Sequence, residues 1–150
     1  MKFVPLMFSA LLLCTTMTTP ARAIDFQSVG AEPAILYDAP SEKGRRTHIA
    51  PRGMPVEVVT TYGDWSKIRD AEGKLTWIMT KMLTPKRNVI ITAANAKIRA
   101  TADDNGAIVF TADKDVLLEL TDPVSTAGWL KVRHRDGQSG YVKASDVWGN

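Results

Sequence analysis

Side chains able to attack, ligate or shuttle protons are few in this chain, and their spacing argues against catalysis. The one cysteine, Cys14, sits in an N-terminal apolar run. Once that run is removed, Cys–His hydrolysis has no thiolate to pair with a general base. The two histidines, His48 and His134, lie far apart, and no Cys/His/carboxylate spacing marks zinc. Each is expected as a solvated surface side chain. Asp103-Asp104-Asn105-Gly106 has the start of a calcium loop but no glutamate at the closing distance, so it reads as a turn. Ser125, Thr126 and Ser139 have no His and acid beside them in sequence. The expectation is a protein without catalytic residues, metal or cofactor.

What remains is chemistry of contact. Trp65 and Trp129 stand 64 residues apart, each heading a short alternating run: Trp65-Ser66-Lys67-Ile68-Arg69 and Trp129-Leu130-Lys131-Val132-Arg133. In a strand, successive side chains point to opposite faces. With Ile68 and Val132 in the core, both tryptophans fall on the other face with Lys67, Arg69, Lys131 and Arg133. A flat ring flanked by cations is suited to stacking on a peptide or a sugar. The candidate ligand-binding residues are therefore Trp65, Lys67, Arg69, Trp129, Lys131 and Arg133. Trp77 and Tyr141 read as packing at a barrel edge, and Trp148 as a cap on the C-terminal end of the second unit.

The elements that position these residues recur. At the same offset of 64, Ile68 matches Val132, Gly73 matches Gly137, Trp77 matches Tyr141, Ile78 matches Val142 and Leu83 matches Val147. Upstream the offset is 62: Leu36 matches Ile98 and Val56 matches Leu118. The difference arises because the loop Asp122 to Gly128 is two residues longer than Thr60 to Asp64, as exposed hairpin loops tolerate. A period near sixty residues is long for a solenoid and fits two copies of one small domain.

Within each copy, short alternating runs are separated by turn residues. Met54, Val56 and Val58 alternate with Pro55 and Glu57. Asp70-Ala71-Glu72-Gly73 closes a hairpin between Trp65–Arg69 and Leu75–Met79, and Thr80 to Leu83 reads as a single helical turn. Many short strands with regular turns indicate an all-β fold of two tandem small barrels. Glu42 to Gly53 is expected as a long basic loop carrying Lys43, Arg45, Arg46 and Arg52. Its counterpart, Thr101 to Asp115, carries Asp103, Asp104, Asp113 and Asp115. That contrast implies two surfaces of different preference, or two loops that face each other across the domain contact. Thr84-Pro85-Lys86-Arg87 is the linker, expected to be open to proteases because few contacts should cross it. The domains are placed at residues 24–84 and 88–150.

Residues 1–23 have the form of a signal peptide. Lys2 supplies the positive charge, Phe3 to Leu13 an apolar stretch too short to span a bilayer, and Ala21-Arg22-Ala23 the cleavage site, after Ala23. Removing Lys2 and Arg22 leaves 17 basic against 16 acidic residues, a formal charge of +1 rather than +3. A near-neutral domain has no footprint for nucleic acid, and no stable membrane insertion is expected. The mature chain would have no cysteine, so in an oxidising compartment its core alone must hold it.

These residues together resemble the bacterial SH3 domain family. The strongest match is Met54-Pro55-Val56-Glu57-Val58-Val59, then Asp64-Trp65-Ser66-Lys67-Ile68-Arg69-Asp70, Gly73, Trp77-Ile78 and Leu83; Gly140-Tyr141-Val142-Lys143-Ala144-Ser145-Asp146-Val147 is similar to the last strand and 3₁₀ turn of an SH3 barrel. Repeat one has Thr76 where repeat two keeps Gly140. The chain looks like the exported tandem SH3-like proteins of Gram-negative bacteria. Only this resemblance adds Tyr37 to the candidate ligand-binding residues, beside Trp65 as a second aromatic of a binding groove. Met79 and Lys143 stand at the proline positions and the loop after Tyr37 is basic, which speaks against polyproline recognition. The resemblance implies a non-catalytic, periplasmic or secreted, monomeric module. Its partner would be peptidoglycan, through cell-wall peptide or glycan, or else an envelope protein for which it acts as adaptor.

Overall fold

The computed structural model describes residues 23–150. The leader expected over residues 1–23, with Cys14, lies outside the described residues apart from Ala23. Described are fourteen strands in two antiparallel sheets of seven, with no α-helix. The first sheet holds β1 (Phe26–Val29), β2 (Ala34–Tyr37), β3 (Arg46–Ala50), β4 (Pro55–Tyr62), β5 (Trp65–Arg69), β6 (Leu75–Met79) and β7 (Leu83–Thr84). The second holds β8 (Asn88–Ile91), β9 (Ala96–Arg99), β10 (Ile108–Ala112), β11 (Leu117–Leu120), β12 (Trp129–Arg133), β13 (Ser139–Lys143) and β14 (Val147–Trp148). A 3₁₀ turn precedes the last strand of each, at Thr80–Met82 and Ala144–Asp146.

Strand order is the same in both: β3-β2-β6-β5-β4-β1-β7 and β10-β9-β13-β12-β11-β8-β14. The repeat read from the sequence is thus a repeat of topology, and the all-β, two-barrel expectation holds.

Alternation explains the cores. Val56, Ile68 and Ile78 are wholly buried with Val29 and Leu36 in the first barrel, and Ile98, Val132 and Val142 with Val89 and Leu118 in the second. The β5–β6 hairpin turns at Gly73, whose φ of +83° is the left-handed conformation that glycine adopts without strain. The frames differ at Ser66 and Leu130. Ser66 is buried and its hydroxyl lies 2.8 Å from that of Thr80, which satisfies a polar group in a seat leucine fills in the other copy.

Two expectations need correction. The basic stretch Glu42 to Gly53 is not one loop, because Arg46–Ala50 forms β3 and pairs with β2. Likewise Ile108–Ala112 inside the acidic stretch forms β10 and pairs with β9. Both lie at a sheet end with one neighbour and show little inward apolar alternation; Ile49 is 72% exposed.

The segment joining the barrels is short, as expected for domains that sit close with limited freedom, and it makes contacts on both sides. The Arg87 guanidinium lies 5.5 Å from the Phe26 ring of the first barrel and donates to the Gly149 carbonyl of the second at 2.9 Å. The Arg87 carbonyl accepts from Leu120 N–H at 3.0 Å, and Lys86 pairs with Glu119 at 3.4 Å. Phe26 meets Trp148 edge to face, with centroids 5.0 Å apart. Trp148 therefore bridges the two barrels rather than merely capping its own. Asn88 donates to the Gly53 carbonyl at 2.9 Å. These bonds make the linker a clasp between the barrels, although Pro85 and Lys86 themselves are exposed.

Candidate functional site

In each barrel three adjacent strands present one outward ladder. In the first, register sets Tyr37 opposite Trp77, Trp77 opposite Lys67, and Trp65 opposite Met79. Tyr37 and Trp65 meet edge to face at 5.2 Å, the offset geometry that aromatic quadrupoles favour. Lys67 Nζ stands 5.8 Å from the Trp77 ring. Tyr37 is buried beneath its neighbours, whereas Trp65, Trp77 and Met79 are half-exposed. This is an apolar aromatic surface with a cation on its flank.

The loop beside it is organised by Asp38. Its carboxylate accepts from Arg45 N–H at 2.9 Å and pairs with the Arg45 guanidinium at 3.4 Å. The loop thus folds back on itself beside Tyr37, leaving Lys43 and Arg46 exposed.

The second barrel has the same ladder in different chemistry. Arg99 takes the place of Tyr37, opposite Tyr141, and Lys143 takes the place of Met79, opposite Trp129. Arg99 donates to the Gly106 carbonyl at 2.8 Å. Lys143 pairs with Asp104 at 2.6 Å, its ammonium 5.6 Å from the Trp129 ring. Trp129 is only 7% exposed. The expectation that Trp129 offers an open stacking face like Trp65 is therefore corrected: alternation places it outward, but the Lys143–Asp104 pair lies over it. What remains is a small polar hollow of about 270 Å³.

The expected site residues therefore do not form two equal sets. Tyr37 and Trp65 come together, with Lys67 on the same face. Arg69 is drawn to Glu57 at 2.8 Å, at the far end of the strand. Lys131 is exposed opposite Tyr141. Arg133 pairs with Glu119 at 2.9 Å and faces the seam between the barrels, away from Trp129. Arg133, then Lys86, holds the Glu119 carboxyl below its ordinary range against the opposing effect of burial.

Sequence reasoning missed Arg99 as a determinant of the outward face, and read Met79 only as standing at a proline position and Asp104 only as part of a turn. The offset of 62 sets Arg99 against Tyr37, so the signal was present. The reading of Asp103 as a turn residue holds: its carboxylate accepts from the Thr101 hydroxyl at 2.7 Å and Asn105 N–H at 2.8 Å. These bonds, led by that to Thr101, keep its pKa below the ordinary value. Among the described residues no group of three His, Cys, Asp or Glu is placed to hold a metal ion. His48 is exposed, its ring nitrogens within 3.2 Å of Lys74 Nζ. The loops of opposite charge do not pair across the seam: Asp38 and Asp104 both find their cations inside their own repeats.

A family model described as "Bacterial SH3 domain" matches this chain twice, over residues 30–84 and 92–149. Similar solved structures include NlpC1 from Trichomonas vaginalis, 12% identical with a TM-score of 0.39, over 94% of this chain and 51% of that one. NlpC2 from the same organism is 11% identical with a TM-score of 0.40, over 87% of this chain and 49% of that one. An NlpC/P60 family protein from Bacillus cereus is 17% identical with a TM-score of 0.36, over 82% and 55%. This chain thus spans about half the length of each. No curated protein matches it.

Proposed function

This chain belongs to the bacterial SH3 domain family, with one module at residues 30–84 and a second at 92–149, and from that premise we propose that it is a non-catalytic binding protein of the cell envelope. Its ligand is cell-wall peptide or glycan, held on the first barrel by Trp65 and Met79, with Tyr37 bracing Trp65 from beneath and Lys67 on the flank. The observation that carries this reading is the half-exposed Trp65 ring braced edge-on by Tyr37. A rigid aromatic offers a large contact area at low cost in side-chain entropy, which is why tryptophan dominates binding hot spots. The second barrel, its tryptophan lying under Lys143, serves mainly to buttress the first. Residues 1–23 act as the export signal, and the protein works in the periplasm as a monomer.

Purified sacculi, pelleted with the mature protein, test this. Trp65→Ala should abolish co-sedimentation while melting close to wild type. Lys131→Ala, on the matching strand of the second barrel, should bind normally. If Trp65→Ala still sediments, the aromatic face is not the site. If the wild type ignores sacculi but captures a partner from envelope lysate, it is an adaptor, and its exposed basic stretch from Lys43 to Arg52 becomes the contact surface.

A further inference from the structure

Between the barrels lies a cleft of about 910 Å³, well above the hollow at Trp129. Its walls come from both repeats and from the clasp joining them, as is common for ligand sites at domain junctions. The charge on those walls is one-sided. Arg52, Lys86, Arg133 and Arg135 line it, and Glu119 is the one carboxylate among the lining residues. Glu119 is already held by Arg133 at 2.9 Å and Lys86 at 3.4 Å. Arg52 and Arg135 are exposed, and among the described residues neither enters a salt bridge. Two guanidinium groups, one from each barrel, thus border one cleft without an internal counter-charge. The mature chain is close to neutral, so this excess is local rather than a reflection of net charge.

Part of the lining is different in kind. Ala31, Pro51, Val116 and Leu117 add apolar surface to the lining beside the cations. A phosphodiester chain would satisfy the arginines and leave that apolar surface unused. A peptide with carboxylates and apolar side chains in turn satisfies both, and the guanidinium fork suits carboxylates in particular. We propose that the inter-barrel cleft is a second binding site, which takes an extended acidic peptide segment carrying apolar residues between its carboxylates. Arg52 and Arg135 clamp the carboxylates from opposite barrels, and the segment's apolar side chains rest on Pro51 and Leu117. The site is separate from the Trp65 face and requires both barrels in their docked arrangement.

Fluorescence anisotropy of the intact mature protein tests this, with a labelled octapeptide alternating Glu and Leu, its Gln–Leu counterpart, and polyglutamate of the same length. The Glu–Leu peptide should bind best and should weaken as salt rises. Arg52→Gln combined with Arg135→Gln should weaken it at least about tenfold, as expected for two lost charge-assisted hydrogen bonds. Trp65→Ala should bind it unchanged, which separates failure here from failure of the aromatic site. Should the double variant melt early, Arg135→Glu alone, at an exposed turn, carries the test. Equal binding of the Gln–Leu peptide, indifference to the arginine substitutions, or no binding at about 1 mM peptide, the weakest affinity of interest, would overturn the proposal. Polyglutamate binding as tightly as Glu–Leu would overturn it too, since the apolar surface would then contribute nothing.

Discussion

Phe26→Ala should uncouple the two barrels. The phenyl ring is half-buried at the seam, where it meets Trp148 edge to face at 5.0 Å and lies 5.5 Å from the Arg87 guanidinium. An aromatic pair contributes about 0.5–1.5 kcal/mol beyond its buried area. A partly desolvated cation over a ring adds about 0.5–2 kcal/mol. Half the burial of a phenyl side chain is worth about 1 kcal/mol. The three overlap, so the expected loss is about 2–4 kcal/mol of coupling. Arg87 makes the consequence sharper, since its Nε is buried with no hydrogen-bond partner and the ring offsets part of that cost. Each barrel is near the size where one core is marginal, so coupling of this size decides whether they melt together. Calorimetry should show one transition for the wild type and two for Phe26→Ala, with cleavage appearing at Pro85–Arg87 under limited proteolysis. A single transition at the wild-type temperature would refute the reasoning: the contacts would then be geometric neighbours without energetic weight.

Ile68→Ala removes a wholly buried side chain from the first core and should destabilise by about 2–4 kcal/mol, read by chemical denaturation. Trp65→Ala, on the opposite strand face, should cost clearly less; equal losses would make the tryptophan structural. Gly140→Ala should unfold the second barrel, because an added Cβ would stand 2.6 Å from the Arg99 carbonyl oxygen and 2.7 Å from Ile98 Cγ2; a normal melt would mean that β9 and β13 separate easily. Glu119 predicts an acid limb. Arg133, then Lys86, depresses its folded pKa below the ordinary glutamate value, so its stabilisation is present at neutral pH and is lost as pH falls below that value through the folded pKa. Glu119→Gln should flatten that limb in a pH series of melts, and an unchanged limb would remove Glu119 as its source.

How much of this was legible in the sequence depends on whether a residue belongs to the repeated frame. Ile68 and Val132, or Ile78 and Val142, announce themselves because inward seats follow a period of two and recur at a fixed offset. The edge strands β3 and β10 carry no such signal. Arg46-Thr47-His48-Ile49-Ala50 has one neighbour, exposes its isoleucine and reads as polar loop. The face of Trp129 was read correctly and its exposure was not, because exposure depends on Lys143 meeting Asp104 across a loop. The seam was least legible. Phe26, Arg87 and Trp148 each have ordinary local environments in sequence, and their contact joins elements with no shared period.

Duplication also explains why matched residues should not be assigned matched roles. Glu57–Arg69 and Glu119–Arg133 are the same cross-strand pair, at the same register, in the two copies. Their inward neighbours are conserved in kind, so both cores hold the pair in the same place on β4–β5 and β11–β12. The surroundings differ because each barrel meets the other with a different edge. In the first copy the pair lies outside the cleft lining, in register with Phe26. In the second it lines the cleft, where Lys86 joins it and Arg52 arrives from the other barrel. The outward ladders diverge in the opposite sense: the first keeps an aromatic surface at Tyr37 and Trp65, while the second places Arg99 and Lys143 around a buried tryptophan. A frame fixed by its core can therefore vary its outer face and its seam independently. That independence is the physical basis for the two binding surfaces we propose, and it is why Trp65→Ala should abolish sacculus binding, the paired substitution of Arg52 and Arg135 should weaken peptide binding at least about tenfold, and each should spare the other interaction.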